Sequence, residues 1–132
     1  MKPKLLLRIA ALLMFLHVIG HTIGALTWRD APNPSVGAVI TGMQKEHFPF
    51  MGRDVSIASF YEGYGISMIV VLLFVSQLLW ICSTVFHRRT ITLIAVFLLT
   101  LGIVEFIYFF PLPAVLSFVA GLFTLVSLRK TP

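Results

Sequence analysis

Two histidines lie one helical turn apart inside the first long apolar stretch of the chain, Leu5–Trp28. If this stretch is a helix, one face within roughly a 100° arc carries His17, Gly20, His21, Gly24 and Trp28. Two imidazoles at an i, i+4 spacing can bind one metal ion, such as zinc or iron. They can equally exchange protons with a bound molecule. This face is therefore the first place to look for chemistry.

Two carboxylates, Glu62 and Glu105, lie within later apolar stretches. A charge at mid-bilayer costs roughly 2.5–3.5 kcal/mol on insertion scales, so such groups usually face a cavity or pair with one another. We expect Glu62 and Glu105 to donate and accept protons beside the imidazoles of His17 and His21. In a second interpretation the four residues bind zinc or iron. In a third they only form structural hydrogen bonds between helices, worth about 0.6 kcal/mol each.

Five further residues are predicted to contact a ligand in the same region. His47 and Arg53 would lie at the mouth of the pocket, and Trp28, Tyr64 and Tyr108 would line it. Each has a simpler explanation. Tryptophan and tyrosine are enriched at membrane interfaces. Arg53 could be an interface anchor or the partner of Glu62, and His47 a solvated loop residue.

The composition predicts a membrane protein rather than a water-soluble one. The chain has 132 residues, of which 58% are hydrophobic and 11% are charged. Soluble domains average about 45–50% apolar and about 25% charged residues. So short a chain could not hide this much apolar surface in one core. We therefore expect a single integral membrane domain over residues 1–132, in contact with the lipid bilayer. The single cysteine, Cys82, excludes an internal disulfide.

The apolar stretches predict four spans, at about residues 5–26, 55–86, 90–110 and 114–128. Between the first two spans, Val36, Val39, Ile40 and Met43 form an apolar stripe with the spacing of a helix lying on the membrane surface. The predicted fold is all-α: an antiparallel bundle of four transmembrane helices with this extra amphipathic surface helix between spans one and two.

Several local signals mark where these elements should begin and end. Ser35 is expected to cap the surface helix, and HFPFMG (residues 47–52) to end it and present an apolar plug or anchor. Asp54 is expected to cap the second span. The prolines of Pro111–Pro113 predict a turn between spans three and four.

The positions of lysine and arginine predict the orientation. Seven of the ten would lie on one side of the membrane: Lys2, Lys4, Arg8, Arg88, Arg89, Arg129 and Lys130. The other three, Arg29, Lys45 and Arg53, lie in the segment 29–53. The positive-inside rule then places both termini in the cytoplasm and segment 29–53 outside the cell membrane. Because the basic residues flank apolar runs, the net charge of +5 indicates topology and no nucleic-acid partner.

Four segments together resemble a group of short bacterial four-span membrane proteins: LRIAALLMFLHVIGHTIGALTW, GMQKEHFPFMGR, ASFYEGYGISMIVVLL and GIVEFIYFFPLP. The resemblance covers nearly the whole chain. That group has no assigned activity, so the resemblance implies the topology and a bacterial inner membrane, and nothing about chemistry. The opening segment alone is also similar to DoxX-type four-span proteins.

These observations predict a His/Glu pocket in the outer half of the bilayer. It would bind, or transform by acid/base chemistry, a small hydrophobic molecule such as a lipid, an isoprenoid or a quinone. The alternative class is a non-catalytic accessory or structural subunit of a membrane complex. A homo-oligomer is compatible with either function, and a metal site using His17 and His21 remains a third interpretation.

Overall fold

The computed structural model describes residues 2–129, and helices dominate that part of the chain. In chain order the elements are α1 (Pro3–Thr27), α2 (Pro34–Lys45), β1 (His47–Phe50), β2 (Arg53–Ser56), α3 (Ile57–Cys82), α4 (Arg88–Tyr108) and α5 (Pro111–Arg129). Helices α1, α3, α4 and α5 are each long and apolar enough to cross a membrane. The predicted all-α fold with four spans, and a short helix between the first two, is confirmed.

The chain divides into two compact units. The first contains the residues up to Gly20 and those from Val70 onward, and the second contains His21–Ile69. Helices α1 and α3 therefore each contribute residues to both units. The single domain over residues 1–132 stays a prediction.

In the first unit, α4 and α5 approach each other most closely at two glycines. A Cβ atom added to Gly102 would lie 2.9 Å from the backbone nitrogen of Phe118, and one added to Gly121 would lie 3.0 Å from the Leu99 side chain. The later residue of α4 faces the earlier residue of α5, so the two helices are antiparallel. Small residues allow this approach because they remove the side chains that would keep the backbones apart.

In the same unit, the parts of α1 and α3 that belong to it also run antiparallel. The Ser76 hydroxyl donates a hydrogen bond to the Ala11 carbonyl over 2.9 Å. The Arg8 guanidinium lies 4.9 Å from the centre of the Trp80 ring, a cation–π contact. Arg8 is therefore held against an aromatic ring at the start of α1.

The first unit buries several hydroxyl residues beside its apolar core and exposes many large apolar side chains. The hydroxyl residues Ser76, Ser117, Thr124 and Ser127 are buried, whereas Phe106 is 72% exposed. Polar groups hidden inside and large apolar groups outside are expected when hydrocarbon replaces water as the solvent. This pattern supports the prediction of an integral membrane protein.

Several predicted helix boundaries in the first unit are wrong. Helix α3 ends at Cys82 instead of Phe86, because the hydroxyls of Ser83 and Thr84 hydrogen-bond to carbonyls of its last turn. The prolines of Pro111–Pro113 lie in the first turn of α5 instead of a separate turn. A proline is tolerated there because the first N–H groups of a helix have no partner within the helix.

The second unit contains α2, which is capped by a residue that the sequence did not indicate. The Asn33 side chain accepts a hydrogen bond from the Val36 backbone N–H over 3.0 Å, and Pro34 follows the cap directly. The predicted cap, Ser35, instead donates its hydroxyl proton to the Asn33 side chain. Asparagine is among the strongest N-cap residues, and proline is favoured immediately after a cap.

A β-hairpin, which the sequence did not predict, follows α2 in the same unit. Strands β1 and β2 pair antiparallel, with Phe48 opposite Val55 and Phe50 opposite Arg53. The two-residue loop between them has positive φ at both Met51 (50°) and Gly52 (81°), as a type I′ turn requires.

This hairpin occupies the residues that were predicted to open α3. Asp54 lies in β2 and is not a helix cap. Ser56 and Ser59 instead hydrogen-bond reciprocally, each side chain accepting from the other's backbone N–H. This reciprocal arrangement stabilises the first turn of α3, which begins at Ile57.

The close approach of α4 and α5 leads to a prediction. Gly102→Ala should lower the free energy of unfolding by about 1–3 kcal/mol, because the new methyl group would overlap the backbone of α5. The measurement is thermal unfolding in detergent. Gly20→Ala is the matched control, since a Cβ there meets nothing within 4 Å. Equal stability of the two variants would contradict the close packing.

Candidate functional site

A buried cluster of three polar side chains joins α1, α4 and α5 within the first unit. The Nε2 atom of His17 lies 3.4 Å from Oε1 of Glu105, and its Nδ1 atom lies 3.1 Å from the Ser117 hydroxyl. His17 is 4% exposed, Glu105 6% and Ser117 0%. The three residues thus form an internal site with almost no access to solvent.

Three helical stripes bring the cluster together. His17 continues the buried face of α1 that contains Ala10 and Met14, and Glu105 continues the buried face of α4 that contains Leu98 and Gly102. Ser117 lies on a buried face of α5 formed by small residues: Ala114, Ala120, Gly121 and Thr124. Because each polar residue falls at helical spacing from buried neighbours, packing of these faces positions the site.

The contacts of His17 permit two arrangements of protons. In the first, Nε2–H points to the Glu105 carboxylate and Nδ1 accepts from the Ser117 hydroxyl. In the second, a protonated Glu105 donates to Nε2, and Nδ1–H donates to the Ser117 oxygen. The second arrangement holds one proton more than the first. The cluster can therefore take up or release one proton while both ring nitrogens keep their partners.

One oxygen of Glu105 is incompletely satisfied. Ser117 also interacts with the Glu105 carboxyl. Within residues 2–129, however, Oε2 is buried and makes no hydrogen bond of ordinary geometry. Buried polar atoms are almost always hydrogen-bonded, so an exception requires an explanation. A donor group on a bound molecule would provide one.

His21, the other histidine of the predicted pair, belongs to the second unit. Its Nε2 atom lies 3.2 Å from the carbonyl oxygen of Gly65. Because a carbonyl can only accept, the proton is on Nε2 in this arrangement. The backbone of α3 therefore fixes the orientation of the His21 ring through this contact.

Glu62 also belongs to the second unit, and its partner is Arg29. The Nε atom of Arg29 donates to Oε1 of Glu62 over 3.0 Å, and a terminal nitrogen of Arg29 contacts the same oxygen. Of the two alternatives for Arg53, the structure thus shows Arg29 in the place of the partner of Glu62, and the role of interface anchor stays a prediction. Arg29 also lies 5.7 Å from the centre of the Trp28 ring, which in turn contacts Tyr61.

The Arg29–Glu62 pair borders a small polar recess. The recess has a volume of about 240 Å³. It is lined by Arg29, Gln44, Ser56, Ala58, Ser59 and Glu62. It is distinct in character from an apolar groove of about 330 Å³ between α4 and α5 in the first unit. That groove is lined by Gly102, Ile103, Phe106, Ala114, Val115, Phe118 and Val119.

The other predicted ligand contacts are exposed. The His47 ring hydrogen-bonds to the Lys45 carbonyl, and Arg53 begins β2. Tyr64 and Tyr108 lie largely outside the packed interior. Such exposure suits an aromatic belt at a membrane interface, and a ligand-binding role for these residues stays a prediction.

The metal hypothesis finds limited support. Among the residues that the structure describes, no three histidine, cysteine, aspartate or glutamate side chains are grouped closely enough to hold a metal ion. A metal ion bound through His17 and His21 stays a prediction. Both ring nitrogens of His17 also already face Glu105 and Ser117.

Two of the partners found in the structure were not predicted. Ser117 is one of several small residues on α5, and nothing in its type or spacing indicates a histidine partner. Arg29 lies just past the end of α1, at the start of the segment predicted to lie outside the membrane. A comparison of depth along α1 and α3 could have paired it with Glu62.

The chain matches no protein-family model, no curated protein and no solved structure. Its resemblance to short bacterial four-span proteins therefore depends only on the motifs given above.

The Arg29–Glu62 pair gives a second prediction. The side chains of Arg29 and Glu62 are 57% and 34% exposed, so their coupling in a double-mutant cycle of Arg29→Gln and Glu62→Gln should be below about 1 kcal/mol. It should also weaken in high salt. The measurement is unfolding in detergent at two ionic strengths. A salt-independent coupling of several kcal/mol would show that the pair is shielded from water.

Proposed function

We propose that this small integral membrane protein binds a small hydrophobic molecule whose polar group reaches the His17–Glu105–Ser117 cluster. Lipid-, isoprenoid- and quinone-like molecules have the required combination of an apolar body and a polar head. The single observation that carries the proposal is the buried Oε2 atom of Glu105, which lacks an ordinary hydrogen bond within residues 2–129. A hydroxyl or similar donor on the ligand would satisfy it.

The apolar groove between α4 and α5 supports a hydrophobic ligand. Its volume of about 330 Å³ lies at the lower end of the range for small-molecule sites. Glu105 lies between the lining residues Ile103 and Phe106 along α4, and Ser117 precedes the lining residue Phe118 on α5. A tail in the groove and a head at the cluster would use the same two helices.

The proposed chemistry is exchange of a proton with the bound molecule. Glu105 would donate or accept the proton directly, and His17 would pass it to or from Glu105 while Ser117 holds the other ring nitrogen. This chemistry does not require His21 and Glu62, which belong to the second unit, and their catalytic role stays a prediction of the sequence. Without a transformation step, the same contacts would serve binding alone.

A third prediction tests this site against a purely structural role. Glu105→Gln should leave the free energy of unfolding unchanged or raise it, because functional polar groups are commonly retained at a cost in stability. The variant should also lose a bound small molecule that co-purifies with the wild-type chain. The measurements are thermal unfolding and native mass spectrometry of protein released from its membrane.

Glu62→Gln is the matched control, since it makes the same chemical change at a partly exposed carboxylate. It should keep the co-purifying molecule. A loss of stability in Glu105→Gln, with no molecule bound to the wild-type chain, would overturn the proposal. A fixed protein partner in the wild-type preparation would instead support the accessory-subunit alternative.

We also propose that both termini face the cytoplasm of a bacterial inner membrane, as the basic residues and the resemblance to bacterial four-span proteins indicate. Within the described part of the chain, Arg88, Arg89 and Arg129 flank α4 and α5. Lys130, which also contributes to this prediction, lies outside the described residues.

A fourth prediction concerns this orientation. In a Cys82→Ala background, Asp30→Cys should react with a membrane-impermeant maleimide in intact cells. Phe86→Cys should react only after the cells are permeabilised, because the connection between α3 and α4 would be cytoplasmic. The opposite pattern would show that the chain is inserted the other way.

A further inference from the structure

The tip of the β-hairpin carries an apolar side chain in an unfavourable position. Met51 is 91% exposed and has a φ of 50°. Type I′ turns favour asparagine, aspartate or glycine at this position, and residues other than these rarely adopt positive φ. Neither the backbone conformation nor exposure to water therefore explains a methionine here.

The residues beside the tip extend this apolar surface. The strand register places Phe48, Phe50, Arg53 and Val55 on one face of the hairpin. On this face, the Phe60 ring of α3 contacts Phe50 at 5.5 Å and Phe48 at 6.3 Å between ring centres. Both phenylalanines of the strand remain partly exposed. The cluster is thus continuous with the first turn of α3.

The connection of the hairpin to α3 determines its level relative to the membrane. Strand β2 ends at Ser56 and the spanning helix begins at Ile57, with no linker between them. A hairpin pointing straight away from the helix would place its tip about 13 Å away from the start of that helix, given four residues per strand. Phe50, next to the tip, instead contacts Phe60 in the first turn of α3. The hairpin therefore folds back on α3, and its tip lies close to the start of that helix.

We infer that the hairpin tip inserts into the lipid interface of the leaflet in which α3 begins. Met51 and the partly exposed edges of Phe48 and Phe50 would lie among the upper acyl chains. Arg53, opposite Phe50 on the same face, would extend its side chain from this depth to the lipid phosphates, where a guanidinium binds well. The occupant of this apolar surface is the bilayer itself, because the exposed apolar side chains of α3 start immediately beside it.

This assignment gives the hairpin a role that the proposed ligand site does not require. It would hold the start of α3 at a constant depth, since a β-hairpin between α2 and α3 cannot stretch as a flexible loop would. Exposed apolar residues adjoining a span are a recognised means of anchoring at the interface.

The fifth prediction uses a nitroxide spin label at the tip. Met51→Cys is made in the Cys82→Ala background, labelled, and reconstituted into vesicles of phosphatidylethanolamine and phosphatidylglycerol. Accessibility to oxygen, which partitions into lipid, is compared with accessibility to a water-soluble nickel chelate. The oxygen-to-nickel ratio should be several-fold higher at position 51 than at a control position in water.

Asp54→Cys provides the matched control, because Asp54 is exposed on the opposite face of the same hairpin. Equal ratios at the two positions would overturn the inference. Shielding of position 51 from both reagents would also overturn it, since protein, such as a second copy of the chain, would then cover the tip. Circular dichroism confirms that each labelled variant is folded.

Discussion

Hydrocarbon offers no hydrogen bonds, so every polar side chain within a spanning helix must find its partners inside the protein. The interior of the first unit follows from this constraint. Hydroxyl residues such as Ser76 and Thr124 are buried and bonded to backbone carbonyls, while large apolar side chains face outward. The His17–Glu105–Ser117 cluster extends the same rule to ionisable groups, where the cost of failing to find a partner is greatest.

Close approach of the helices makes that cluster possible. Gly102 and Gly121 let the backbones of α4 and α5 come together, and Ser117 lies on the same face of α5 as Gly121. A small hydroxyl can then reach a histidine from α1 without opening a cavity. Within residues 2–129, Oε2 of Glu105 is one of two buried side-chain polar atoms that lack an ordinary hydrogen bond, the other being Nε of Arg8.

The second unit obeys a different constraint, because its charged groups have access to water. The Arg29–Glu62 pair is partly exposed, and the adjoining recess is lined mostly by polar side chains. Charges in such a place cost little and contribute little to stability. The hairpin combines both environments, with the charged side chains of Arg53 and Asp54 in β2 and the apolar side chains of Phe48, Phe50 and Met51 in β1 and the loop.

The sequence alone determined the four spans and the all-α fold, because a long uninterrupted run of apolar residues is a local signal that no tertiary contact can hide. It also identified His17 and Glu105 as unusual residues for such runs. Only the tertiary structure decided their partners. Helices that are apolar on all sides do not reveal how they rotate against each other, so Ser117 could not be assigned in advance as the partner of His17. The hairpin was missed for a related reason: Met51 at positive φ opposes the local preference, and only the surrounding packing and pairing select that conformation.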